Sequence, residues 1–304
     1  MRLLLRSAAL ALLAAPLAAQ EAPLPDSVSD EAYRTLADFY EYDPLLPLDA
    51  RVLKREDAPA YTREKVAFTG GRGDRVPAFV MLPKGAKPPH PVVLLIDGWM
   101  GGKDRWWEDD TWPRGGLAIK ALAAHGFAAF VLDAQFHGER AAKQGYLPVE
   151  ELVCRECRNL RREMIVESVV DHRRALDYLA SRGDMDMDRV GALGHSMGGV
   201  MTFALAALEP RLKVAVSCVI PARRGETWTS RAFSPYTFAP RIRIPMLMLM
   251  GRSDPLYDAD DARALLEQLA SADKALEFYD AGHRLPAEYV PRSLAWLRQR
   301  LAER

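Results

Sequence analysis

Arg189-Val190-Gly191-Ala192-Leu193-Gly194-His195-Ser196-Met197-Gly198-Gly199 is the stretch from which the fold of this chain is read. Residues 189–193 form a short, largely apolar run of strand length, and Gly199 to Leu208 is Ala-rich with helical character. A serine therefore sits on a sharp strand-to-helix turn, inside a G-x-S-x-G pentapeptide. Gly194 and Gly198 lack Cβ atoms, so strand and helix can close on each other around it. Such a turn lifts Ser196 Oγ above the sheet edge. It also sets the amide of Met197 at a helix N-terminus, where free N–H groups and the helix dipole favour an anion. The competing reading is a Gly-rich turn with an incidental serine. What separates the two is whether a base and an acid follow at the right places.

Outward from this turn, the chain alternates strands and helices. Pro91 to Ile96 and Phe127 to Leu132 are continuous apolar runs, as expected of strands buried on both faces. Val214 to Ile220, Met246 to Met250 and Leu276 to Tyr279 read as further strands. Helical spacing marks Leu117 to Ala124, Met164 to Ser181, Ala259 to Leu269 and Ser293 to Leu301. Before them, Glu64 to Phe68, the Gly70–Asp74 turn and Val76 to Leu82 make a hairpin. The expected fold is α/β, with a mostly parallel, doubly wound sheet, an N-terminal antiparallel hairpin and helices on both faces. Residues 63–304 are expected to form the catalytic domain. Residues 20–62 read as an extension with a short helix from Ser29 or Asp30 through Tyr40, its Leu36, Phe39 and Tyr40 on one side.

A serine hydroxyl needs a base at neutral pH. Six histidines are present. His90 precedes a strand, His125 ends a helix, His172 lies mid-helix, and the turn points His195 elsewhere. His137 follows the second buried strand and is a possible base. His283 follows the last strand and is the single histidine after Ser196, and the chain order Ser, acid, His selects it. The acid that fixes the tautomer of the base should follow a strand. Asp254 does so in Gly251-Arg252-Ser253-Asp254-Pro255. Asp258 is its main rival, although it and the next two acids also suit the first turn of a helix. Oxyanion donors are expected from Met197 N–H and, in the loop Asp97 to Gly102, from Trp99 N–H.

The segment Lys103 to Gly116 brings Trp106, Trp107 and Trp112 beside that loop, where these aromatics either line an acyl or alcohol site or simply pack the loop; Trp106 and Trp107 are expected to line the substrate site. Residues 221–243, where a lid could lie, hold five Arg and one Glu. Those arginines read either as a solvated face or as a site for an anionic substrate. His137 and Glu139 are too few ligands for a metal, and no cofactor is expected.

Residues 64–300 resemble the α/β-hydrolase superfamily, near its dienelactone-hydrolase-like and prolyl-oligopeptidase-like serine hydrolases. The resembling stretches are VVLLIDGWMGG (92–102), VLDAQFHGER (131–140), DHRRALDYLASRGDMDMDRVGALGHSMGG (171–199), MLMGRSDP (248–255) and YDAGHRLP (279–286). The resemblance implies Ser196 as nucleophile, Asp254 as acid, His283 as base, and Trp99 and Met197 as oxyanion donors. Two departures stand out. This chain has Asp97-Gly98 where the family usually has His-Gly, and it has Ser196 where dienelactone hydrolases have Cys.

The chain has 304 residues, 41 Lys plus Arg and 41 Asp plus Glu, so its formal net charge is zero and nothing in the charge favours nucleic acid. Arg2 and Arg6, the apolar Leu10 to Ala15 and the small residues after Pro16 read as a signal peptide over 1–19. That predicts a periplasmic or secreted protein with no stable membrane insertion after cleavage. An oxidising compartment would permit a Cys154–Cys157 disulfide, while a redox CxxC site would need a strand-helix context that is missing here. The expected activity is hydrolysis of a small-molecule carboxylic ester through an acyl-enzyme, falling at acid pH as His283 protonates. A peptidase acting on small peptides and a non-catalytic binding protein are the alternatives. The roughly 45 residues between leader and first strand leave no room for a propeller. The sequence carries no signal for oligomeric state.

Overall fold

The computed structural model describes residues 24–25, 28–99, 101–144, 158–224 and 231–302. The leader over 1–19 and the pair Cys154 and Cys157 lie outside these residues.

The first element among the described residues is helix α1 (Asp30–Ala37), where the Ser29 side chain accepts from the Ala32 amide at 3.2 Å. Strands β1 (Arg51–Asp57), β2 (Tyr61–Thr69) and β3 (Arg75–Pro83) follow. Next come β4 (His90–Ile96), α2 (Gly115–Ala124), β5 (Ala128–Leu132), α3 (Arg158–Arg182), β6 (Met185–His195) and α4 (Met197–Leu208). The chain continues through β7 (Leu212–Cys218), α5 (Pro235–Phe238), β8 (Met246–Gly251), α6 (Ala259–Gln268), β9 (Lys274–Tyr279) and α7 (Tyr289–Arg300).

Among the described residues, one nine-stranded sheet runs in the order β1-β2-β3-β5-β4-β6-β7-β8-β9. The strands from β5 to β9 in that order pair in parallel, and β1, β2 and β3 join antiparallel. This is the α/β-hydrolase fold. Every residue of β4 and β5 is buried, which explains their unbroken apolar sequence: helices cover both faces. The chain winds outward from β4 in both directions, through β5 on one side and β6 on the other, so a crevice opens beyond their C-terminal ends. Register places Ile96 opposite Gly194, His195 opposite Cys218 and Gly251 opposite Tyr279. The loops after β4, β6, β8 and β9 therefore emerge along one edge.

The structure differs from the sequence expectation in three places. Strand β1 and the start of β2 lie inside the stretch read as an extension. All but one residue of β1 are exposed, so this edge strand carries no alternation that would mark it. In the N-terminal helix Phe39 is exposed, and Tyr33 takes its place: Tyr33 and Tyr40 meet Phe238 edge-on at 6.2 and 5.8 Å. Finally, the described part of 221–243 packs into the core through Phe233, Phe238, Ala239 and Ile242. Arg224 pairs with Asp261 and Arg241 with Asp30, both at 2.9 Å, so these two are engaged by the protein itself.

Candidate active site

Ser196 holds φ 58° and ψ −117°, a left-handed conformation that costs energy for a residue with a side chain. Its neighbours make the turn possible. A Cβ on Gly194 would lie 2.2 Å from the Gly198 carbonyl oxygen, and one on Gly198 would lie 2.1 Å from that of Ile96. The Ser196 amide donates to the Cys218 carbonyl at 2.9 Å, tying the turn to the end of β7.

The end of β9 delivers His283. Its Nε2 lies 2.8 Å from Ser196 Oγ, and its Nδ1 lies 2.7 Å from Asp254 Oδ2. Asp254 is buried, and its other oxygen accepts from the Leu256 amide at 2.9 Å. Both carboxylate oxygens are thus held, and the His283 ring has one orientation. Asp258, the rival acid, is occupied elsewhere. It caps α6 in a reciprocal pair with Asp261, accepting from the Asp261 amide at 2.7 Å. Tyr257 OH bridges the Gly251 amide and carbonyl at 2.7 and 3.0 Å, fixing the strand end from which the Asp254 loop departs.

His195 is buried, with its ring 5.7 Å from that of His283. Burial, with smaller contributions from His283 and Arg105, pushes its pKa down to about 3. It therefore stays neutral and adds no charge to oppose an imidazolium at His283.

The Met197 amide opens α4 and so has no acceptor within the helix. Across from it, the loop after β4 presses against the serine: a Cβ on Gly98 would lie 3.3 Å from Ser196 Cβ. Trp99 occupies a turn closed by the Gly101 amide on the Gly98 carbonyl at 3.3 Å. The two oxygens of Asp97 brace this turn, accepting from the Gly98 amide at 2.8 Å and the Gly102 amide at 2.6 Å. Burial raises the Asp97 pKa to about 6, against the lowering effect of those two amides. His137 holds the turn from the other side, its Nε2 being 2.6 Å from the Trp99 carbonyl oxygen. Asp97 thus braces the loop where the resembling family usually has histidine.

One expected substrate residue, Trp106, lies in the core instead, fully buried. Trp107 is partly buried, meeting Phe79 edge-on at 4.8 Å with the Arg63 guanidinium 5.2 Å from its ring. Each anchors the segment to the sheet. The tryptophan of this segment that reaches the site is Trp112, 45% exposed, with its ring 5.7 Å from that of His283. The sequence offers His137 as a possible base and Trp112, with Trp106 and Trp107, as a pocket aromatic; which of them stands beside the triad, and how, is set by long-range packing. Among the described residues no group of three His, Cys, Asp or Glu side chains is placed to hold a metal ion. Among the same residues no helix is long and apolar enough to cross a membrane.

The profile of the acetyl xylan esterase (AXE1) family matches residues 20–222, and that of the serine hydrolase (FSH1) family matches residues 159–292. Bacillus subtilis YtaP, a protein named as a hydrolase, is 28% identical over 190 residues, which span 61% of this chain and 61% of that protein. A Yersinia pestis protein named as a carboxymethylenebutenolidase is 26% identical over 224 residues, covering 72% of this chain and 78% of its own length. The crystal structure of acetyl xylan esterase 1 from Thermoanaerobacterium superposes with a TM-score of 0.71 at 18% identity, over 93% of this chain and 97% of that one.

Proposed function

From the premise that the chain belongs to the acetyl xylan esterase (AXE1) family, we propose that it is an exported serine carboxylester hydrolase using Ser196, His283 and Asp254. The observation that carries this reading is the continuous relay of 2.8 Å from Ser196 Oγ to His283 Nε2 and 2.7 Å from His283 Nδ1 to Asp254 Oδ2.

In the proposed reaction His283 Nε2 takes the hydroxyl proton as Ser196 Oγ attacks the ester carbonyl carbon. Asp254 keeps the N–H on Nδ1 and stabilises the imidazolium. The amides of Met197 and Trp99 donate to the oxyanion, a contribution of roughly 10²–10³ in rate per donor in comparable sites. The imidazolium then returns its proton to the leaving alcohol oxygen as the C–O bond breaks, leaving an acyl-serine. Water, deprotonated by the same imidazole, attacks that ester and releases the acid. The family name and the related proteins support short-chain esters, acetyl esters first among them, as substrates. Residues 1–19 serve as the export signal in this reading, which puts the mature protein in the periplasm or outside the cell.

Purified protein is expected to hydrolyse 4-nitrophenyl acetate and to be labelled at Ser196 by a fluorophosphonate. Ser196→Ala should abolish both while leaving the protein folded. Full turnover by that variant, or intact labelling of it, refutes the assignment.

A further inference from the structure

An exposed tryptophan is mounted beside the proposed triad on a loop that is fixed without it. Thr111 and Pro113, on either side of Trp112, are both buried. The Thr111 hydroxyl accepts from the Gly115 amide at 3.2 Å, and the Pro113 carbonyl accepts from the hydroxyl of the buried Tyr289. Arg114 Nε donates to the Leu285 carbonyl at 2.9 Å, and Arg284 pairs with Asp110. The last two contacts bind the loop directly to the residues that follow His283. None of these anchors uses the indole. The Trp112 ring is left 45% exposed, 5.7 Å from the His283 ring and inclined at 56° to it.

We infer that Trp112 is the platform for the alcohol part of the substrate, and that this alcohol carries a ring with a flat face. The inference rests on the triad proposed above. When the C–O bond breaks, the leaving oxygen must lie within hydrogen-bond reach of His283 Nε2 to receive its proton. The group attached to that oxygen therefore passes next to the imidazole, whose ring lies 5.7 Å from that of Trp112, whereas the acyl group stays bonded to Ser196. An indole face offers a broad apolar surface and a negative quadrupole, which suit an arene or the C–H face of a pyranose. A preset ring on a braced loop loses little freedom on binding. Short open-chain alcohols cannot cover it.

The test compares kcat/KM for three acetates, benzyl acetate, a mono-acetylated methyl pyranoside and ethyl acetate, in the wild-type protein, Trp112→Ala and Trp112→Phe. Trp112→Ala is expected to lower the value for at least one ring-bearing acetate about tenfold, with ethyl acetate changed less than about twofold. The arm that responds, arene or pyranose, identifies the source of the ring. Trp112→Phe should recover most of the loss. Since the side chain is exposed, melting temperature should barely move, and equal Tm values confirm that the comparison is between folded proteins. A parallel loss on all three acetates would show that Trp112 merely positions the His283 loop, and an unchanged ratio would show that it touches no substrate. Either overturns the inference while leaving the triad standing. If the wild-type protein hydrolyses none of the three and resists fluorophosphonate, the triad assignment itself fails and takes this inference with it.

Discussion

Both ring nitrogens of His137 face carbonyl oxygens: Nε2 lies 2.6 Å from that of Trp99 and Nδ1 lies 2.9 Å from that of Gln135. A carbonyl can only accept, and a neutral imidazole has one N–H to give. Burial pushes the His137 pKa down, against the opposing effect of the two carbonyls, so the ring is neutral at neutral pH. The shorter contact assigns the N–H to Nε2, and His137 thereby ties the turn carrying the proposed oxyanion donor to the loop after β5. His137→Ala should lower kcat about tenfold with KM little changed, well short of the 10²–10³ seen when a donor is lost outright. His137→Gln, which keeps a donor, should retain more. Steady-state kinetics on a short ester at matched stability decide the point, and an unchanged kcat would mean that Asp97 alone suffices.

Asp97 braces the same turn with two acceptors, and an asparagine can supply just one. Asp97→Asn should reduce kcat roughly tenfold by freeing the Gly98 or Gly102 amide. The carboxyl is raised to about 6 from the ordinary 3.8, so the ionised form the turn uses is lost as pH falls through about 6. Part of the decline in rate on the acid side should therefore vanish in Asp97→Asn. Stability runs the other way. A raised carboxyl favours the folded state fully below pH 3.8, and that contribution fades as pH rises through about 6. The variant should accordingly lose less stability at pH 8 than at pH 5, which urea titrations at the two values would measure.

Ser196 sits at φ 58°, where glycine carries no penalty. Ser196→Gly should raise stability by about 1 kcal/mol, the low end of the cost of such backbone outliers, while eliminating hydrolysis. A variant no more stable than Ser196→Ala would show that the turn is relaxed as it stands.

His172 is fully enclosed in α3, its Nδ1 donating to the Ser168 carbonyl at 2.7 Å. Burial, with a smaller push from Arg140, depresses its pKa from 6.5 to about 4. The unfolded chain therefore binds a proton that the folded one refuses. The stability due to this group is complete above pH 6.5 and is lost as pH falls towards 4. Replacing His172 with Phe should flatten the pH dependence of unfolding free energy across that window by up to about 1.4 kcal/mol per pH unit. A slope identical to wild type would place the proton uptake elsewhere.

Much of the architecture was legible along the chain. Buried parallel strands must be apolar on both faces, so β4, β5 and β8 announce themselves as unbroken runs, and a strand-turn-helix around Ser196 needs its glycines in place. Ser196 and His283 could be chosen from order, because each follows a strand whose end lies on one edge of the sheet, whereas order left Asp254 and Asp258 as rival acids, and only the contact of Asp254 with His283 and the capping role of Asp258 separate them. Strand β1 could not be read from the chain, since an edge exposed on both faces leaves no periodic trace.

What the sequence determined by itself was therefore the set of local patterns: which segments bury two faces, where the chain must turn sharply, and which serine and histidine follow strand ends in the required order, with Asp254 and Asp258 both in place to be the acid. The tertiary structure alone decided that Asp97 and His137 clamp the Trp99 turn, that Trp106 belongs to the core, and that Trp112 stands beside His283. The reason is that periodicity records how a residue meets its near neighbours in the chain. Sequence separations of 38 positions, Trp99 to His137, and 171 positions, Trp112 to His283, are bridged solely by packing of the completed sheet and its loops.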